Sequence, residues 1–276
     1  MASQASVNII CVSSSAQSDS SAHGQVVISG SYGGEYNAFH AGKWGLRGLV
    51  LNDAGVGKGE AGIRGLPYLD AIGLAAATAD ARTCHIADPE HMLAHGVISF
   101  VNKSAEKLGC RPGDSVRACA TRMFDAAIAE GTLAPIAGGK RFTLRENPGE
   151  RTVIGIDAAP MLEAGDAGKI AVTGSHAALF RGHPDDVIKP DVYAVFFNDA
   201  GIGLDDAGVT RLPTLDLRNI VAGAVDCNSA PIGNCRAIYA DGVLSRVNQT
   251  ASRRGAKPGM PLRQFIDILI AARDQL

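Results

Sequence analysis

Ionisable and hydrogen-bonding side chains gather at three places in this chain of 276 residues. The sharpest is Asn52-Asp53-Ala54-Gly55-Val56-Gly57, which recurs as Asn198-Asp199-Ala200-Gly201-Ile202-Gly203. An asparagine amide can hold a substrate amide or carboxyl group, an aspartate can orient water or carry a proton, and the glycines permit a tight turn around both. Capping of a following helix by Asp53 is the competing reading. Lys58 follows in the first copy with Leu204 opposite it, so a cation is offered to an anionic substrate in one copy alone.

The second place pairs Ser29-Gly30-Ser31-Tyr32-Gly33-Gly34 with Thr173-Gly174-Ser175-His176-Ala177-Ala178. Turns of this composition aim backbone N–H groups at a carboxylate or phosphate, although neither the P-loop nor the dinucleotide fingerprint is matched. Ser31, Tyr32, Gly33 and Ser175 are therefore candidates for substrate contact and His176 for proton transfer. The change of Gly33-Gly34 to Ala177-Ala178 predicts close approach of a ligand in the first copy only.

The third place begins at Asp80 and Asp226. In the first copy it runs on through Thr83-Cys84-His85 to His91 and His95, and in the second through Cys227-Asn228-Ser229-Ala230. Asp80, Cys84 and His85 are candidates for acid-base or nucleophilic work, and Asp226 and Cys227 for substrate contact. His91 and His95 share a helical face, but the glutamate of the metalloprotease pattern is missing between them. Neither a metal nor a cofactor is expected.

These places must be held by repeated elements. Residues 52–113 align without a gap on 198–259, with 24 identities in 62 positions, so the chain is a fused pair of homologous units. Short runs rich in β-branched residues at Val7–Val12, Gln25–Ser29, Gly48–Leu51 and Leu74–Thr78 predict strands, and Thr152–Ile156, Lys169–Thr173, Val192–Phe197 and Ile220–Val225 repeat them. Longer segments with helical spacing lie between, the pattern of an α/β fold with mainly parallel sheets covered by helices. Helices are expected at Glu90–Leu108, Asp114–Ala129, Arg236–Arg253 and Pro261–Arg273. Within two of these, Gly96-Val97-Ile98-Ser99-Phe100-Val101-Asn102 matches Gly242-Val243-Leu244-Ser245-Arg246-Val247-Asn248, which would set Ser99 and Asn102 on one helical face. The Gly- and Pro-containing stretch 131–150 reads as an exposed linker, giving units 1–145 and 146–276 related by a pseudo-twofold. In such sheets ligands bind beyond the carboxyl ends of the strands, where all three places fall.

Bulk properties exclude several function classes. Lysine plus arginine number 26 against 28 acidic residues, with no basic run, so nucleic acid is not an expected partner. No apolar stretch approaches the length of about 18 residues that a membrane span requires, and Met1–Ser6 has no basic leader. A cytoplasmic protein with a small-molecule substrate is expected, and assembly into a homo-oligomer is open. The six cysteines show neither metal-finger spacing nor equivalent positions in the two copies, which speaks against a disulfide framework.

Thr173-Gly174-Ser175-His176, Phe197-Asn198-Asp199-Ala200-Gly201 and the Gly-Val-Ile-Ser-x-Val-Asn segment together resemble a bacterial family of internally duplicated α/β proteins. That likeness implies the fold and no particular activity. Locally, Cys227-Asn228-Ser229-Ala230 resembles the cysteine turn of the aspartate/glutamate racemase superfamily, whose two lobes each offer a thiol to substrate. The resemblance implies Cys84 as the opposing thiol, although the two cysteines stand in the reverse of that family's order.

A small-molecule enzyme is the leading expectation, a hydrolase of a small amide or carboxylate-bearing metabolite bound at strand-end loops near the interface of the repeats. Asp53, Asp199 and Asp80 would do the acid-base work, with Cys84, His85 or His176 in a one-sided role. Ser31, Ser175, Asn52 and Asn198 would hold the substrate. A cofactor-independent two-thiol racemase or isomerase and a non-catalytic ligand-binding or assembly subunit are the alternatives.

Overall fold

A computed structural model describes residues 7–136 and 139–272. The start Met1–Ser6, two linker residues and the end of the last expected helix at Arg273 lie outside the described residues. The fold is α/β, with two mainly parallel sheets flanked by helices.

In the first repeat the order is β1 (Ile9–Val12), β2 (Val26–Tyr32), α1 (Glu35–Gly42), β3 (Gly48–Asn52), α2 (Gly65–Asp70), β4 (Ala75–Ala79), α3 (Pro89–His95), β5 (Ile98–Val101), α4 (Lys103–Lys107) and α5 (Val116–Arg122). Strands β1 to β4 lie side by side in chain order and run parallel, and β5 closes the edge antiparallel to β4. Alternation along the strands splits the core into two layers. Val26 and Ile28 pack with Met92 of α3 and Val116, Cys119 and Ala120 of α5. Val27, Leu49 and Leu51 point the other way, onto Ala38 and Ala41 of α1 and Leu66 and Leu69 of α2. Each fully buried large aliphatic side chain contributes roughly 1.5–3 kcal/mol, which is why strands covered on both faces read as unbroken apolar runs.

The second repeat contains β6 (Arg141–Arg145), β7 (Val153–Ile156), β8 (Ile170–His176), β9 (Ala194–Asn198), α6 (Arg211–Asp216), β10 (Val221–Val225), α7 (Cys235–Asp241), β11 (Leu244–Val247), α8 (Gln249–Arg253) and α9 (Leu262–Ala271). The sheet order is β11-β10-β9-β8-β7-β6, with the two outermost strands antiparallel to their neighbours. Val195, Phe197 and Ala222 face α6, whereas Val172, Phe196 and Val221 face Ile238 of α7 and Phe265, Ile266 and Leu269 of α9.

Two expected helices are interrupted by strands. Glu90–Leu108 resolves into α3, β5 and α4, and Arg236–Arg253 into α7, β11 and α8. Gly96 and Gly242 end the first helix of each set in an extended conformation (ψ 143° and 135°). The residues that follow, Ile98–Val101 and Leu244–Val247, pair antiparallel with β4 and β10. Ser99 is thus a strand residue and Asn102 the cap of α4, so they do not share a helical face. The helix expected at Asp114–Ala129 is shorter, passing from α5 into a 3-10 turn at Met123–Asp125. Within the expected linker, Arg141–Arg145 forms the edge strand β6 on β7.

By packing, the first unit comprises residues up to Gly55, Gly62–Ile136 and Gly203–Asp205, and the second comprises Val56–Ala61, the chain from beyond Ile136 to Ile202, and Asp206 onward. Each unit therefore includes a short segment that the chain supplies from the other repeat. Among the described residues no helix is long and apolar enough to cross a membrane.

Candidate active site

The repeated Asn-Asp-Ala-Gly-x-Gly motif leaves β3 and β9 in a left-handed turn. Ala54, Gly55, Val56 and Gly57 all have positive φ, and so do Ala200, Gly201, Ile202 and Gly203. Val56 and Ile202, both at φ 63°, are β-branched residues in a region that disfavours them, a strain of order 1–3 kcal/mol each. The polar side chains of the motif hold this turn. Asn52 Oδ1 accepts from Ala54 N–H at 2.9 Å, as Asn198 Oδ1 does from Ala200 N–H. Asn198 Nδ2 donates to Ala230 O, and Asn52 Nδ2 lies 3.7 Å from Cys84 Sγ. Asp53 Oδ1 accepts from Gly55 and Ala81 N–H, each at 3.0 Å, and Asp199 Oδ1 accepts from Gly201 and Cys227 N–H at 2.9 and 3.0 Å. The aspartates thus bind the turn to the loop after the next strand, rather than capping a helix.

The same economy runs through the other shared residues. Thr83 and Ser229 each bridge the carbonyl of the preceding aspartate and the N–H of Val97 or Val243. Asn102 and Asn248 each accept two backbone N–H groups and donate to the residue before the neighbouring strand, Leu74 or Ile220. Identity between the repeats therefore follows backbone wiring. One-sided chemistry must come from positions where the repeats differ.

The carboxylate pairs differ in this way. Burial pushes Asp53 and Asp199 above the ordinary carboxylate range, opposed by their hydrogen bonds and reinforced by the neighbouring aspartate, Asp80 or Asp226. In the first unit Arg82 clamps Asp80, with Nε 3.0 Å from Oδ1 and Nη2 2.6 Å from Oδ2, and holds its carboxyl below the usual range. In the second unit Asn228 stands in the place of Arg82 and donates through its backbone and side chain to Asp226 Oδ1. A carboxylate oxygen of Asp199, one of Asp226 and Cys227 Sγ lie within 4.8 Å of one another. These three are the described groups whose donor atoms could share a cation; burial pushes the Cys227 thiol up to about 12.

Cys84 is fully buried and likewise pushed up to about 12. His85 Nε2 lies 3.0 Å from Asp205 Oδ2, and the His85 ring stacks on His91 with centroids 3.8 Å apart. Lys58 Nζ, in the segment grouped with the second unit, donates to Ser229 O at 3.0 Å and pairs with Asp241 Oδ2 at 3.3 Å. Ser31 Oγ accepts from Ser15 N–H and Ser175 Oγ from Ala159 N–H. Tyr32 O accepts from Asn37 Nδ2. Gly33 is tight for a reason internal to the fold: a Cβ there would stand 2.4 Å from Gly62 O, so the close approach is by the chain's own backbone. His176 is buried and its pKa falls to about 3, through burial first and the Arg211 charge second, so its ring is neutral at pH 7.

Arg211 and the exchange of Arg82 for Asn228 are absent from the expected site. Arg211 stands in the sequence as a mismatch within a well-matched block, opposite Gly65 beside a shared Leu-Pro, whereas Arg82 and Asn228 follow the shared aspartate in a segment where the repeats have no identity for five residues. No protein-family model, curated protein or solved structure matches the chain.

Proposed function

We propose that the chain is a small-molecule hydrolase of amide or carboxylate-bearing metabolites whose acid-base pair is Asp199 and Asp226 in the second unit. The observation that carries this reading is a pair of adjacent carboxylates in unequal surroundings, one buried and raised, the other partly exposed and relieved of the arginine that neutralises its counterpart. A buried, raised carboxyl beside a solvent-side carboxylate is an arrangement that acid-base chemistry can use. Asp226, on the solvent side, takes a proton from water as it attacks the substrate carbonyl. That proton then passes from Asp226 to the departing nitrogen, while Asp199 holds the Gly201 and Cys227 N–H groups and so fixes the loop that carries Asp226. The first unit, with Asp80 clamped by Arg82, lacks an equivalent exposed base and serves as scaffold.

Burial of Cys84 and Cys227 weighs against the two-thiol racemase reading, because thiols pushed up to about 12 supply little thiolate at neutral pH. Mass-spectrometric turnover of an amide and lactam panel tests the hydrolase reading. Release of a carboxylate and an amine, abolished by Asp226→Asn, supports it; an inactive wild type across the panel refutes it.

A further inference from the structure

The amino-terminal end of the first sheet carries groups that the second repeat lacks. Three loops meet there: the one leading into β2, the one joining α1 to β3, and the stretch that follows the turn at Met123–Asp125. Gly24 N–H donates to Gly45 O at 2.8 Å, His23 Nδ1 donates to Trp44 O at 3.2 Å, and Ala129 N–H donates to Leu46 O at 3.1 Å. In the second unit Gly168 N–H donates to Asp191 O at 3.0 Å, and both Gly24 and Gly168 are left-handed (φ 69° and 73°), so the two loop pairs correspond. By that correspondence Ala167 stands in place of His23, and Pro190 in place of Trp44.

The three loops border a cavity of about 570 Å³, within the size range of small-molecule sites. Its lining combines the half-buried Trp44 indole with one cation, Lys43, and one anion, Glu130. Lys43 Nζ lies 5.2 Å from the centre of the Trp44 ring. Neither Lys43 nor Glu130 belongs to an ion pair among the described residues. Trp44 Nε1–H is buried and has no hydrogen-bond partner among the described residues, a donor for which the fold supplies no acceptor. Uncommitted charges of opposite sign that share a cavity with an indole suit a ligand carrying both signs on an apolar body. Its carboxylate would meet Lys43, its ammonium Glu130, and its side chain the ring.

We infer that this cavity of the first unit is a binding site for a free α-amino acid with an apolar side chain, oriented by Lys43 and Glu130. It lies at the opposite end of the first sheet from the Asn52-Asp53 turn, and it stands or falls independently of the hydrolase reading.

L-Leucine added to the full chain in equilibrium dialysis tests this, with isocaproate and isoamylamine as the same body lacking the ammonium or the carboxylate. Trp44 is the chain's one tryptophan, so its fluorescence reports on the site during the same titration. Leucine is expected to bind saturably at one site per chain and to shift that fluorescence, with both controls at least about threefold weaker, since each partly solvated charge contact contributes modestly. Lys43→Met is expected to weaken leucine at least about threefold and leave isoamylamine unchanged. Glu130→Gln is expected to weaken leucine by a similar factor and leave isocaproate unchanged. Both side chains are exposed, so neither variant disturbs the core. Absence of saturable leucine binding, equal binding of either control, or leucine affinity unchanged in either variant overturns the inference.

Discussion

Removing the Asp199 carboxylate separates its structural role from its electrostatic one. Asp199→Ala leaves the N–H groups of Gly201 and Cys227 without their acceptor, and the Cys227 end of that bond is buried. An unsatisfied buried donor costs roughly 1–3 kcal/mol, and partly exposed Gly201 recovers some of its share from water, so a loss of about 2–4 kcal/mol is expected. Asp199→Asn keeps Oδ1 and should cost about 1 kcal/mol or less at pH 7. The two variants also part with pH. Because burial raises the folded-state pKa of Asp199, the carboxyl contributes most stability below its unfolded value of 3.8, and that contribution is lost as pH rises through the raised folded value. Asp199→Asn lacks this loss, so its stability relative to wild type should improve from pH 4 upward. Urea unfolding at several pH values provides the measurement. An alanine variant within about 1 kcal/mol of wild type, or an asparagine variant whose relative stability falls with rising pH, refutes the wiring assigned to the motif.

Asn248→Ala strips acceptors from Ala222 and Ala251 N–H and the donor from Ile220 O, and urea titration should register a loss of about 3 kcal/mol or more, matched by Asn102→Ala. Cys84 and Cys227 should resist iodoacetamide at pH 8 in the folded protein and react once it is unfolded, as peptide mapping would reveal; rapid native labelling of either contradicts the burial argument. The His176 ring should remain neutral by NMR well below pH 5. With its folded pKa depressed to about 3 from 6.5, its contribution to stability is present above 6.5 and is lost as pH falls towards 3, so His176→Gln should flatten the acid limb of the stability curve.

The parallel strands were legible because they are short apolar runs buried on both faces, as at Val26–Ile28 and Val195–Phe197. Strands β5 and β11 were hidden because four half-buried residues between two short helices blend into one apparent helical period. Sheet pairing with β4 and β10, a non-local interaction, decided their conformation. At the site, the duplication drew attention to Asn52, Asp53, Asn198 and Asp199, yet identity alone does not separate a ligand-holding group from one that holds the backbone. The exchanges of Arg82 for Asn228 and Gly65 for Arg211 were visible as letters. Their meaning depends on what each side chain faces, a carboxylate in one case and the His176 carbonyl in the other.

The most direct test of the acid-base pair is a side-by-side turnover measurement of Asp226→Asn and Asp80→Asn on whichever amide or lactam the wild type hydrolyses. Loss of a general base typically costs about 100-fold or more in kcat. Asp226→Asn is predicted to fall by that much while Asp80→Asn retains wild-type turnover; equal losses, or an active Asp226→Asn, would contradict the assignment of catalysis to the second unit.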